Sequence, residues 1–174
     1  MRWKMRTRSW FTMLVVAALM VFMAASAHAG WRHCTGTTAR GPNLSETILL
    51  LDDQPNHTVR MVVWEGKIGC SCPEIDGATV AHRDYYDMTP AGGSYICYWT
   101  ILTQGTDKIF GTSKGSWKVE AKKDGSWEST GSGELEYYGG TGKLEGLKGK
   151  GAVKSKRTPT AVSITWEADV YLPD

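Results

Sequence analysis

The chain has 174 residues, with 20 Lys or Arg against 18 Asp or Glu. That length describes one domain with a sizeable core, and the near-balanced charge gives no footing for a nucleic acid or an anionic membrane surface. Twenty glycines and eight tryptophans favour strands joined by tight turns over a helical bundle.

Residues 1–29 read as a secretory signal peptide. Arg2, Lys4, Arg6 and Arg8 form a basic start without an acid, Phe11 to Ala25 is almost wholly apolar, and Ala27-His28-Ala29 is a small-x-small cleavage site. A spanning helix needs about 20 apolar residues, and here the run fades into Ala and Ser where a peptidase would cut. The mature domain is therefore expected over residues 30–174, in the periplasm or secreted, with no membrane-spanning segment after processing. Removing four leader bases leaves 16 bases against 18 acids, so the basic isoelectric point belongs mostly to the leader.

Strand patterns follow in order. Glu46 to Leu51 is expected to be a buried strand, Asp52 to Asn56 its turn, and His57 to Glu65 the return, with Val59, Met61 and Val63 on one face and Arg60, Val62 and Trp64 on the other. A turn or short helix is expected over Asp76 to Asp84. Tyr95, Cys97, Trp99 and Ile101 share one face of the next strand. Gln104 to Asp107 turns into Lys108-Ile109-Phe110, and Ser116 to Ala121 leads to Asp124-Gly125, a type I′ hairpin signal. Ser126 to Tyr137 returns, with Trp127, Leu135 and Tyr137 on the face that carries Gly131 and Gly133. Glycine on an inner face permits the curvature of a small barrel. Glu128, Glu134 and Glu136 take the wet face. Val162, Ile164, Trp166, Ala168, Val170 and Leu172 alternate with polar residues in a long half-buried last strand.

The run Gly139 to Gly151 holds six glycines in thirteen positions. It fits neither a Walker A loop nor a dinucleotide fingerprint: Leu147 stands where a glycine is needed after Gly142, and Glu145 stands at the third glycine of Gly140-Thr141-Gly142. No nucleotide or other cofactor is expected. Read as a hairpin, the run Gly139-Gly140-Thr141-Gly142-Lys143-Leu144-Glu145-Gly146-Leu147-Lys148-Gly149-Lys150-Gly151, together with Gly105-Thr106-Asp107 and the alternating last strand, resembles the allene oxide cyclase-like and dirigent-like barrel group over Tyr95 to Leu172. The resemblance implies an all-β fold, a single closed antiparallel barrel of eight strands, often with an apolar cavity. Bacterial secreted relatives in that group include proteins of unassigned role. No motif for the pocket residues of its cyclases or radical-coupling members is found here.

Cys34, Cys70, Cys72 and Cys97 suggest two disulfides in an exported chain. Cys70 with Cys72 is disfavoured by the one-residue gap. Cys34–Cys70 with Cys72–Cys97, or Cys34–Cys72 with Cys70–Cys97, remain. A metal centre on the Cys-x-Cys pair with His33 or Cys34 is not expected, because structural zinc uses wider spacings.

The densest polar cluster is His82-Arg83-Asp84-Tyr85-Tyr86-Asp87, in which His82, Arg83, Asp84, Tyr85 and Asp87 are catalytic candidates at a barrel mouth. The plainer alternative is a loop whose acids cap turns. No serine nucleophile elbow occurs. Tyr85, Tyr86, Tyr95, Tyr98, Trp64, Trp99, Trp117, Trp127 and Trp166 fill a core or line a pocket for an apolar or aromatic small molecule. With no assembled catalytic constellation, the first expectation is a noncatalytic exported barrel that binds a small hydrophobic ligand or serves as an interaction module. A cavity-steering cyclase or isomerase is the alternative. A third is an envelope-associated or homo-oligomeric protein using Val62 and Trp64 on its outer surface.

Overall fold

The computed structural model describes residues 30–173. The proposed leader and its cleavage site lie outside the described residues. Eight antiparallel strands close into one barrel in sequence order: β1 Gly30–Leu51, β2 His57–Cys70, β3 Thr79–Thr89, β4 Gly92–Leu102, β5 Lys108–Ala121, β6 Trp127–Gly140, β7 Lys148–Arg157 and β8 Val162–Leu172. This is the all-β barrel expected from the sequence. Among the described residues no helix is long and apolar enough to cross a membrane.

Period-2 alternation decides what faces inward. Cys97, Trp99 and Ile101 of β4, Leu135 and Tyr137 of β6, and Trp166, Ala168, Val170 and Leu172 of β8 form the core. Glu134 and Glu136 face out, beside Lys114 and Lys150. Val62 and Trp64 are each only 2% exposed, whereas Val59 and Met61 on the opposite face are in contact with solvent. The outer-surface role expected of Val62 and Trp64 is therefore excluded.

One end of the barrel is plugged by the glycine run. The chain leaves β6, makes one 3-10 turn over Gly142–Leu144 and enters β7, with Leu144 and Leu147 buried. Gly142 has φ +60°, and a Cβ there would run into the Asp107 carboxylate, so glycine alone fits without strain. The Asp124-Gly125 hairpin forms with a different turn. Only Gly125 has positive φ, and Gly125 N–H donates to the Lys122 carbonyl at 3.1 Å. That is a type I turn followed by a left-handed glycine, where a type I′ turn needs both central residues at positive φ.

The other end is open, and here the sequence misleads. β1 pairs with β8 only over residues 30–37, then continues along β2 alone to Leu51. Ile48, Leu49 and Leu50 are exposed, so Glu46 to Leu51 is a projecting edge and not a buried strand. An apolar run reports β propensity, and burial needs a second layer that this extension lacks. His57 pins the turn end of the projecting hairpin to β3. Its Nδ1 meets Asp53 at 2.7 Å and its Nε2 meets Asp87 at 2.6 Å.

The four cysteines do not form two bridges. Cys34 and Cys72 form a disulfide, with Cα atoms 5.6 Å apart. Cys70 and Cys97 are free. Cys70 ends β2 opposite Gly36, while Cys97 sits mid-strand in β4 opposite Asp84, so the two never meet.

Candidate functional site

Asp76 and Gly77 belong to a turn, and Thr79 onward is strand; there is no helix over 76–84. His82 to Asp87 is thus the middle of β3 and not a loop, and alternation divides the cluster. His82, Asp84 and Tyr86 point into the barrel. Arg83, Tyr85 and Asp87 point out: Tyr85 packs edge-on against Tyr98 at 6.2 Å, and Asp87 serves His57. Of the five candidates, only His82 and Asp84 reach the interior.

They line a cavity of about 180 Å³ in the open half of the barrel. Trp64, Tyr86, Tyr95 and Trp117 supply much of its aromatic wall, with Tyr86 and Trp117 edge-on at 5.4 Å. Gly133 makes room for this wall, since a Cβ there would strike the Tyr95 hydroxyl. Burial pushes the Tyr95 phenol up to about 12 and drives Tyr86 higher still, with the Asp84 charge adding to both. Both hydroxyls therefore stay protonated near neutral pH and act as donors.

Arg40, Arg60 and Arg157 come from β1, β2 and β7 to the same cavity. Arg60 pairs with Glu46, yet its Nε is buried with no hydrogen-bond partner. The Arg40 guanidinium lies 4.9 Å over the Trp64 ring and donates to Asn43 Oδ1 at 2.6 Å. Burial pulls it below its usual pKa. Nothing in the sequence joins these arginines, which are separated by up to 117 positions in the chain; closure of the barrel brings them together.

Asp84 sits below them and is 3% exposed. Its Oδ2 accepts from Trp64 Nε1 at 2.5 Å and from Tyr86 Oη at 2.7 Å. Its Oδ1 is buried without a hydrogen-bond partner, 3.4 Å from His82 Nδ1. Burial alone would push the Asp84 carboxyl up, but His82, Cys97 and Trp64 outweigh it and hold the group below its usual range. His82 Nδ1 is also 2.8 Å from Cys97 Sγ, and the His82 ring stacks on Trp64 at 3.9 Å. Cys97 was legible as inward-facing from its own strand, but a disulfide expectation hid its place beside Asp84.

No protein-family model matches this chain, and no curated protein matches it. Solved structures similar to it include the pterocarpan synthase dirigent protein PsPTS1, at 12% identity and a TM-score of 0.44 over 86% of this chain and 99% of that one. Another is the pterocarpan synthase dirigent protein GePTS1, at 16% identity and a TM-score of 0.32 over 84% of this chain and 89% of that one.

Proposed function

We propose that the barrel binds a small aromatic anion in its open-end cavity and steers it through a redox-neutral isomerisation or ring closure. The observation that carries this reading is the unpartnered, buried Nε of Arg60 beside Arg40 and Arg157, above an aromatic wall. A buried donor without a partner costs about 1–3 kcal/mol, and an anionic ligand group relieves that cost. Three guanidiniums against Asp84 and Glu46 leave the site net positive. The volume limits the ligand. About 180 Å³ is below the roughly 300–1,000 Å³ of drug-sized pockets, while a cavity of about 150 Å³ accepts benzene. One ring fits inside, with its acidic substituent held among the arginines.

The Tyr95 hydroxyl supplies a preorganised donor for charge that develops on a ligand oxygen, while Tyr86 spends its proton on Asp84 and, with the rest of the aromatic wall, restricts the bound conformer. In a ring closure, an internal O–H adds across an internal C=C. One C–O and one C–H bond form, the O–H and π bonds are lost, and no oxidant is consumed. The Cys34–Cys72 disulfide supports a location in an oxidising compartment.

The test is to incubate the purified chain with aryl enones that carry an internal phenol and an acidic group, following loss of conjugated absorbance. Ring closure faster than in buffer, and slowed by Tyr95→Phe, is expected. Binding of the enone without ring closure returns the noncatalytic ligand carrier. Absence of both binding and ring closure overturns the reading.

A further inference from the structure

We infer that His82, Asp84 and Cys97 form a binding site for a single divalent transition-metal ion at the floor of the cavity, with zinc the best match. This goes beyond the proposed function and needs no organic ligand for its test. The geometry comes from the ladder. His82 and Asp84 are two apart on β3 and share its inner face, and Cys97 lies directly opposite Asp84 on β4. Their Nδ1, Oδ1 and Sγ atoms all lie within 4.8 Å of one another.

Tetrahedral zinc with bonds of about 2.0–2.3 Å holds its ligand atoms roughly 3.4–3.6 Å apart. His82 Nδ1 and Asp84 Oδ1 already stand 3.4 Å apart, and the 2.8 Å between Nδ1 and Cys97 Sγ needs to open by only about 0.7 Å.

The independent observation is Asp84 Oδ1, a carboxylate oxygen buried without a hydrogen-bond partner. Its sister oxygen is fixed by Trp64 and Tyr86, so the carboxylate is locked with Oδ1 turned toward His82 and Cys97. Trp64 also stacks on the His82 ring and sets its plane. Such outer partners are what orient metal ligands elsewhere. A nucleophilic triad does not fit: Cys97 and Asp84 both approach the same imidazole nitrogen, whereas a relay uses both nitrogens. One cation at that convergence point would satisfy all three donors.

A nitrogen, an oxygen and a sulfur form a borderline set that suits zinc. Burial holds the Cys97 thiol well above its usual pKa, and a bound cation reverses that preference by deprotonating a coordinating thiol. The fourth position would face the cavity that the same three residues line, the open arrangement of catalytic rather than structural zinc.

The test uses cobalt(II) alone, added anaerobically to the chelator-treated chain. A saturable one-to-one titration with tetrahedral visible bands and a near-ultraviolet sulfur-to-cobalt band is expected, bleached by zinc. Cys97→Ser should abolish the sulfur band, Cys70→Ser should retain it, and Asp84→Asn should weaken binding at least about tenfold. No sulfur-to-cobalt band in the wild type overturns the site whatever the variants do, and so does a band that survives Cys97→Ser but is lost in Cys70→Ser.

Discussion

Asp84 and Cys97 face each other across the β3–β4 ladder inside the barrel, each 3% exposed, with one Asp84 oxygen fully engaged and the other bare. A carboxylate in that position must be held by its donors. Asp84→Ala leaves the Trp64 indole and the Tyr86 hydroxyl unpaired, at about 1–3 kcal/mol each. Chemical denaturation should show a loss of at least the lower figure. An unchanged midpoint would mean that water replaces the carboxylate at no cost.

The His57 clamp gives a pH dependence of known sign. Hydrogen bonds to Asp87 and then Asp53 raise His57 above 6.5. Its contribution is full below that unfolded-state value and is lost as pH rises through the raised folded value. Asp53 is held low by the same bond, so its share disappears as pH falls through its depressed folded value. The melting temperature should therefore drop as pH rises from 6.5 through the raised folded value, and His57→Gln should flatten that drop. NMR titration of His57 at or below 6.5 would contradict the clamp.

Thiol counting separates the observed bridge from the paired bridges that composition suggests. Unreduced, unfolded protein should take two alkyl groups, at Cys70 and Cys97, and four after reduction. Loss of the Cys34–Cys72 link, which spans 38 residues, should cost about 4 kcal/mol by the chain-entropy relation. No alkylation before reduction would restore the second disulfide.

Gly142→Ala should destabilise by about 1–2 kcal/mol or more, from the left-handed conformation plus the clash with Asp107. Gly146, at φ +89° with open space around it, should show the conformational cost alone. Equal losses at the two positions would show that the Asp107 contact is easily relieved.

The barrel was legible in the sequence wherever one face of a strand is wet. Trp127 to Tyr137 and Val162 to Leu172 announce their inner residues by alternation with glutamate, serine and threonine. Glu46 to Leu51 does not alternate, and its leucines project past the barrel. At the site, His82 to Asp87 reads as one polar cluster, although strand periodicity sends only His82, Asp84 and Tyr86 inward. Arg40, Arg60 and Arg157 carry no local signal, because only barrel closure makes them neighbours.

A small aromatic anion in this pocket should quench tryptophan fluorescence, since Trp64 and Trp117 line the cavity. Titration with cinnamate should give saturable quenching at one equivalent. Arg60→Gln should weaken it at least about tenfold, as a hydrogen bond to a charged group worth about 1.5–3 kcal/mol requires. Linear, unsaturable quenching in the wild type, or an unchanged affinity in Arg60→Gln, would show that the arginines hold no such anion.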